Sequence, residues 1–506
     1  MIAFDAVFSF LSSQFPLRQS SLGTVSRKRD HRMDAHVVII GGGLAGLAAA
    51  SALAERGIRA TLLESRPRLG GRASSFVDRE TDALIDNCQH VSMGCCTNFR
   101  HFCQSVGIDQ CFREQRELFF IGHDGHVNTL SESRLPAPLH LWPALRRLSY
   151  LSAANIRSLR TGLTALVRAT APYANDQSFA DWLHTHGQTP EAIERFWNVV
   201  LVSALSESLD RIDVAHARKV FVDAFFANRR GWRVNIPTIP LDELYGEPLI
   251  GWLTSRGIGV WLQSGVSRIL SEGDRVQGVE LRGGERLEAD HFILAVPHHL
   301  VLSLLPEAIK NENNLAGIGR LTSAPISSVH LWFDRSISDL PHAVLIGRLS
   351  QWMFNRTLLQ TGSRRADGPS SPVSDGYCYQ VVISASRQLQ NRPSEDVVAE
   401  VVAELNELWP AARQAQLLHS RLVTEHKAVF SVTPGCDDIR PVQQTPIDNL
   451  QLAGDWTRTG WPATMEGAVR SGYLACENIL ARVGRPERLV QPDLPTSLLS
   501  KLMLGL

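Results

Sequence analysis

The sequence predicts an α/β protein: a Rossmann-like dinucleotide-binding domain on a parallel sheet, interleaved with an α+β domain that receives the substrate. Three observations predict it. The segment HVVIIGGGLAGLAAASALAERGIRATLLES (36–65) runs strand, glycine-rich turn, helix, strand and acid in the order a dinucleotide site needs. Near the other end, LAGDW (452–456) and TMEGA (464–468) give another strand, an acidic loop and a helix start. Between them SSVHLWFD (327–334) and YCYQVVIS (377–384) alternate with the period of two that marks strands.

Val37 to Ile40 is a short apolar strand. Gly41 allows the tight turn after it, and Gly43 lets the backbone approach a pyrophosphate. Gly46 lets the helix opened by Leu44 and Ala45 pack against the strand, with its N-terminus toward the anion. Gly57 caps that helix, and the second strand, Ala60 to Glu64, ends on a carboxylate able to bind both ribose hydroxyls. An acid there disfavours the 2′-phosphate of NADP. The run continues Ser65-Arg-Pro-Arg-Leu-Gly70-Gly71-Arg72, and two more glycines with an arginine suit the longer contacts of FAD. Asp455, following Gly454, is placed to hold a ribityl hydroxyl. The helix start Met465-Glu466-Gly467-Ala468 is placed to face the pyrimidine end of a flavin. The expected cofactor is therefore FAD, with no metal.

Composition narrows the partners. The chain has 51 basic and 51 acidic residues, so bulk charge offers nothing to nucleic acid. No apolar run is long enough to span a bilayer as a helix. Eight cysteines without a CxxC pair fit a reduced, cytoplasmic setting. Residues 1–34 are read as a disordered or over-called extension, with Met33 as an alternative start; a targeting peptide is the competing reading.

Together these pieces resemble the flavin amine oxidase and phytoene desaturase superfamily from residue 36 to about 485. Gly265-Val266 with the strand pair VSRILSEGDRVQGVEL is similar to its adenine-side segment, and Phe292 to Pro297 to its return strand. Finer stretches, DNCQHVSMGCCTNF, LPAPLHLWPAL, RFWNVVLVSAL, PISSVHLWFD and GDWTRTGWPATMEGAVRSG, resemble the squalene-associated branch, the hydroxysqualene dehydroxylases of bacterial hopanoid synthesis. That resemblance implies a C30 isoprenoid substrate, an external reductant, and replacement of an allylic hydroxyl by hydride to give squalene. Amine oxidases carry a tyrosine where this chain has Thr464, so one wall of an amine-binding aromatic cage is missing. A carotenoid-type desaturase shares the fold and cofactor with hydride moving the other way. An amine oxidase and a non-catalytic lipid-binding flavoprotein are the remaining alternatives.

The resemblance places Asp86, Gln89 and His90 near the flavin ring. His90 is the expected proton donor, with Asp86 orienting or charging it. Cys88 stands where the family has glycine, which questions any turn there that needs a positive φ. Cys88, Cys95 and Cys96 lack the spacing of a zinc knuckle. Lys427 is expected on a strand that closes the flavin site. The cofactor-binding domain is drawn as 35–130, 246–300 and 431–485, a helical substrate- and membrane-facing region as 131–245, a substrate sheet as 301–430 and a tail as 486–506. Arginines 146, 147, 157 and 160 among leucines, and the leucine-rich tail, suit either a peripheral contact with the inner face of the cytoplasmic membrane or ordinary packing. The segment 361–376 is read as a surface loop.

Overall fold

Apolar runs covered on both faces become the centre of a parallel sheet, and four such runs do so here. In the computed structural model, which describes residues 35–169, 177–310, 312, 315–360 and 376–505, five strands lie in one all-parallel sheet. Their order is Ile258–Trp261, Arg59–Leu63, His36–Ile40, His291–Leu294, Leu450–Leu452. Val37 to Ile40 pair with Ala60 to Leu63 on one side and with His291 to Leu294 on the other. Helices Leu44–Glu55 and Met465–Arg482 pack together beside this sheet. They approach so closely that a Cβ on Gly472 would stand 2.3 Å from the Ala45 carbonyl oxygen. The parallel sheet of the expectation is thus present, and its carboxyl edge gathers the Gly41, Glu64, Val296 and Gly454 turns.

The second sheet has seven strands, in the order Leu417–Phe430, Ser323–Phe333, Tyr377–Ser384, Trp352–Asn355, His342–Leu345, Glu117–Ile121, Val127–Ser131. One pair, His342–Leu345 with Glu117–Ile121, is parallel and the rest are antiparallel. Alternation sorts its faces. Val329, Leu331, Phe333, Val381 and Ile383 pack with Val397, Val401 and Leu405 of the helix Ser394–Leu408. Ser328, His330 and Gln380 are buried on the other side, where Trp332 packs on Ile85.

Two domain boundaries move. Glu117–Ile121 and Val127–Ser131, expected in the cofactor-binding domain, extend the seven-stranded sheet, because His342–Leu345 would otherwise be an uncovered apolar edge. Val234–Pro237, expected in the helical region, pairs with Ser92–Met93 and Phe112–Gln115 and so joins the cofactor half. The intervening region carries several helices, Ala153–Arg168 and Phe179–Thr185 among them. Val266 lies outside the parallel sheet, at the start of a three-stranded antiparallel one. Residues 1–34 and nearly all of the 361–376 loop lie outside the described residues.

Burial lowers the pKa of His140, His330 and His342 to about 4, from an ordinary value of 6.5. A depressed folded-state pKa means that the unfolded chain takes up protons the folded one refuses as pH falls through this window. Stability should therefore rise with pH across it, and the urea midpoint should drop steadily from pH 6.5 toward pH 4. A midpoint that stayed flat over that range would contradict the burial of these imidazoles.

Candidate active site

The nucleotide end is shaped by missing side chains. Gly41 has φ +112°, and a Cβ on Gly46 would lie 1.9 Å from the Gly41 carbonyl oxygen, so helix and turn meet backbone to backbone. Gly43 differs: the nearest atom to a Cβ there is the Cα of Gly71, at 3.9 Å. Gly70 N donates to Gly42 O at 2.9 Å and ties the two glycine turns together. Gly43 precedes the helix with no side-chain cap, leaving the amides of Leu44, Ala45 and Gly46 in a first turn that favours an anion. Glu64 is buried at the strand end, where its carboxylate accepts from Gly42 N and Arg66 N, both at 2.8 Å, and from Ser65 Oγ at 3.1 Å. Ser264 N donates to Glu64 O at 2.7 Å, which brings the Gly265-Val266 segment alongside. This glycine cradle, open helix start and terminal carboxylate fit the pyrophosphate and ribose of FAD.

Arg72 joins the two ends of the site. Its guanidinium donates to Asp455 Oδ1 at 2.6 Å and to Ala428 O at 2.7 Å. Lys427 is therefore next to the arginine's carbonyl partner, on the strand Leu417–Phe430. Gly454 N donates to Ser471 Oγ at 2.7 Å, which fixes the acidic loop to the second helix. Thr464 caps that helix by accepting from Gly467 N at 3.1 Å, and Met465 and Ala468 pack into the core below.

Glu466, expected as a cofactor contact, has its carboxylate engaged by protein groups. It is fully buried, and its carboxylate accepts from Phe99 N and Asn98 Nδ2, both at 2.8 Å, and from Arg470 Nε at 2.7 Å. The side chain caps the N-terminus of the helix Thr97–Ser105, whose first-turn amides favour an anion.

The DNCQHVSMGCC stretch is organised by a residue the sequence reading missed. Arg356 is buried and donates to both Asp86 Oδ2 and Gln89 Oε1, at 2.5 and 2.6 Å. Asp86 Oδ1 is taken by Ser75 Oγ at 2.6 Å and Leu241 N at 2.9 Å. Asp86 therefore does not orient His90 through a hydrogen bond: its acceptor sites are committed to Arg356, Ser75 and Leu241. His90 Nδ1 instead lies 3.0 Å from Cys88 O. Burial lowers the His90 pKa, with Arg72 and Arg356 acting in the same direction against Cys88 O and Asp86. At neutral pH the ring is uncharged, with Nδ1–H donating and the lone pair on Nε2. Asn87 Nδ2 donates to Arg72 O, so the stretch sits directly beside Arg72. Cys88 is not among the residues with positive φ, so its side chain creates no backbone strain there. Burial lifts its thiol to about 12, which leaves it protonated and unreactive.

Two more buried polar residues near the acidic loop escaped the sequence. Arg440 is buried and gathers the carbonyls of Asp455 (3.1 Å), Thr457 (2.6 Å) and Trp461 (2.7 Å), clamping the acidic loop. His298 is buried with Nε2 3.2 Å from Ser323 Oγ, and burial lowers it to about 4. Neither lies in a pattern that single-sequence reading recognises.

Residues 44–480 match the family described as flavin containing amine oxidoreductase. The chain is 28% identical to a probable zeta-carotene desaturase of Synechococcus elongatus, over 88% of this chain and 98% of that protein. It is 26% identical to the 15-cis-phytoene desaturase of Arabidopsis thaliana, over 88% of this chain and 80% of that protein. Among solved structures, an oxidoreductase from Methanosarcina mazei superposes with TM-score 0.65 at 17% identity, covering 86% of this chain and 98% of that one. Cyclohexylamine oxidase from Brevibacterium oxydans superposes with TM-score 0.62 at 17% identity, covering 89% and 100%.

Two outcomes follow from this geometry. Gly46→Val should purify without FAD, since its Cβ collides with the Gly41 carbonyl and displaces the phosphate-binding turn; an absorbance spectrum reads this, and a fully yellow protein would refute it. Arg356→Met leaves Asp86 buried without its cation and should lower unfolding free energy by about 3–5 kcal/mol in urea titrations. Asp86→Asn combined with it should recover part of that loss.

Proposed function

Because the chain belongs to the flavin-containing amine oxidoreductase family and is an FAD-dependent oxidoreductase, we propose that it reduces hydroxysqualene to squalene. The observation that carries a hydrocarbon rather than an amine substrate is Thr464. Its Oγ1 is engaged with Gly467 N and Pro462 O as a helix cap, so the position offers no aromatic face to an amine. The relatives named as phytoene and zeta-carotene desaturases support a long isoprenoid. The resemblance of DNCQHVSMGCC and GDWTRTGWPATMEGAVRSG to hydroxysqualene dehydroxylases supports the C30 alcohol.

Bound FAD, once reduced by an external donor, supplies the hydride. The chain's part is to bind the hydrocarbon, orient the hydroxyl, deliver a proton and exclude water. Cys88 packs with Trp232, Phe354 and Val382, with Val91 beside them, which gives the stretch an apolar flank. Binding of the isoprenoid then comes chiefly from apolar burial, at roughly 25 cal/mol per Å². His90 Nε2 receives the hydrogen bond of the allylic hydroxyl and, when protonated, passes its proton to that oxygen. The C–O bond breaks with its electron pair on oxygen, water leaves, and hydride closes the allylic cation to C–H. Alcohol, proton and hydride thus balance to hydrocarbon and water. A lowered pKa makes the His90 imidazolium a stronger acid than an exposed one.

One observation favours the opposite direction: neutral His90 is also suited to take a proton, as carotenoid-type desaturation requires. The pH profile separates the two readings. Dehydroxylation needs protonated His90, so kcat/KM should rise as pH falls below 6.5 toward its lowered pKa, and His90→Ala should retain FAD but lose turnover. A desaturase relying on the neutral base would instead lose activity in acid. The deciding assay is anaerobic: photoreduced enzyme given hydroxysqualene should yield squalene. Absence of squalene, with phytoene dehydrogenated by the oxidised enzyme, would overturn the proposal.

A further inference from the structure

The tail helix Leu498–Leu504 meets the body with its polar side. Ser497 N donates to Ala227 O at 2.8 Å, Ser497 Oγ to Ala137 O at 2.7 Å and Ser500 Oγ to Phe226 O at 2.6 Å. Ser500 is fully buried, while Leu498 and Leu502 are 79% and 84% exposed. A helix docked to cover a core would show the reverse arrangement. Exposed Met503 belongs to the same helix, and exposed Leu135 lies just before the Ala137 carbonyl to which the tail is fastened.

Charge is segregated around this apolar tip. Between residues 133 and 169 there is no aspartate or glutamate, although the chain as a whole has equal numbers of acids and bases. The same segment carries Arg134, Arg146, Arg147, Arg157, Arg160 and Arg168, and every one is exposed. The helix Ala153–Arg168, which bears three of them, packs against the tail helix, where Lys501 adds a further exposed cation. Leucines held outward and flanked by unpaired-sign arginines match the acyl boundary and anionic headgroups of a lipid surface. Among the described residues no helix is long and apolar enough to cross a membrane. A cavity of ≈ 380 Å³ borders the tail, lined by Leu494, Gly505, Val222 and Trp461 and also by the charged Arg218, Asp223 and Asp493.

We propose that the tail helix and the arginine face form a docking surface for an anionic phospholipid bilayer, from which an isoprenoid substrate is taken up. The surface does not depend on which isoprenoid the site accepts, so vesicle binding and the hydroxysqualene assay can fail separately. The test is co-sedimentation of the FAD-loaded full chain with vesicles of equal parts phosphatidylcholine and phosphatidylglycerol, and with phosphatidylcholine alone. Binding should be stronger to the mixed vesicles and should weaken in high salt. The double substitution Leu498→Glu, Leu502→Glu should reduce binding by about tenfold or more, with the flavin spectrum and thermal midpoint unchanged because both side chains stand in water. Arg157→Glu with Arg160→Glu should remove much of the advantage of the anionic vesicles. Undiminished binding by the leucine variant, or equal binding of the parent to both vesicles, would overturn the proposal. So would a self-associating parent that binds no vesicle and becomes monomeric when the leucines are replaced.

Discussion

The ion pair between Arg72 and Asp455, with a 2.6 Å contact, is the constraint on which the site depends. It connects the glycine turns, through Gly70 and Gly71, to a loop almost at the other end of the chain. Asp455 is nearly buried and Arg72 only partly so. A buried carboxylate is tolerated when a cation and hydrogen bonds accompany it, and here both come from one guanidinium. The same guanidinium donates to the Ala428 carbonyl on the longest strand of the second sheet. One residue therefore registers the glycine turn, the acidic loop and the seven-stranded sheet against one another.

A second arginine, this one buried, works in the same way. Arg356 holds Asp86 and Gln89 and so places the loop carrying His90. Arg440 does the same for the carbonyls of the acidic loop. Each donates through a rigid planar fork, so the loops it serves are fixed in orientation as well as position. The site is thus a set of loops held by three arginines, while the sheets behind them supply rigidity. His90, tied to Cys88 O, inherits its position from this arrangement. Its uncharged state follows because burial and two nearby guanidinium groups outweigh the Asp86 carboxylate.

How much of this was legible in the sequence follows from the range of the interactions. The strand, glycine turn, helix and Glu64 were readable because each depends on neighbours within one βαβ unit, where steric need for glycine leaves a local pattern. The acidic loop and the helix opened at Thr464 were readable for the same reason. The side-chain partners of Glu466 were not, since Asn98 and Phe99 come from a distant segment. Arg356 lies 270 residues from Asp86, and nothing around either residue announces the pairing. The 117–131 hairpin was assigned to the wrong half because its sequence neighbours belong to the cofactor domain, whereas its edge pairs with His342–Leu345. The amphipathic tail was visible as a pattern of leucines, but only Ser497 and Ser500 reveal which face turns inward.

The chemistry proposed for this site raises a question of discrimination that its residues can answer. Hydroxysqualene and squalene share a hydrocarbon skeleton, so burial of apolar surface binds both and cannot by itself separate substrate from product. The difference is a single hydroxyl, and selectivity must come from a polar group that it alone can satisfy. A neutral imidazole with its lone pair on Nε2 is such a group. One hydrogen bond of this kind contributes about 0.5–1.5 kcal/mol, up to roughly a tenfold preference for the alcohol. Loss of the hydroxyl as water then removes the interaction that distinguished the substrate, while the apolar contacts remain. On that proposal product departure would require transfer of hydrocarbon out of the protein, a step that is far easier into lipid than into water. A site that reads one hydroxyl and releases pure hydrocarbon therefore gains from opening toward a membrane.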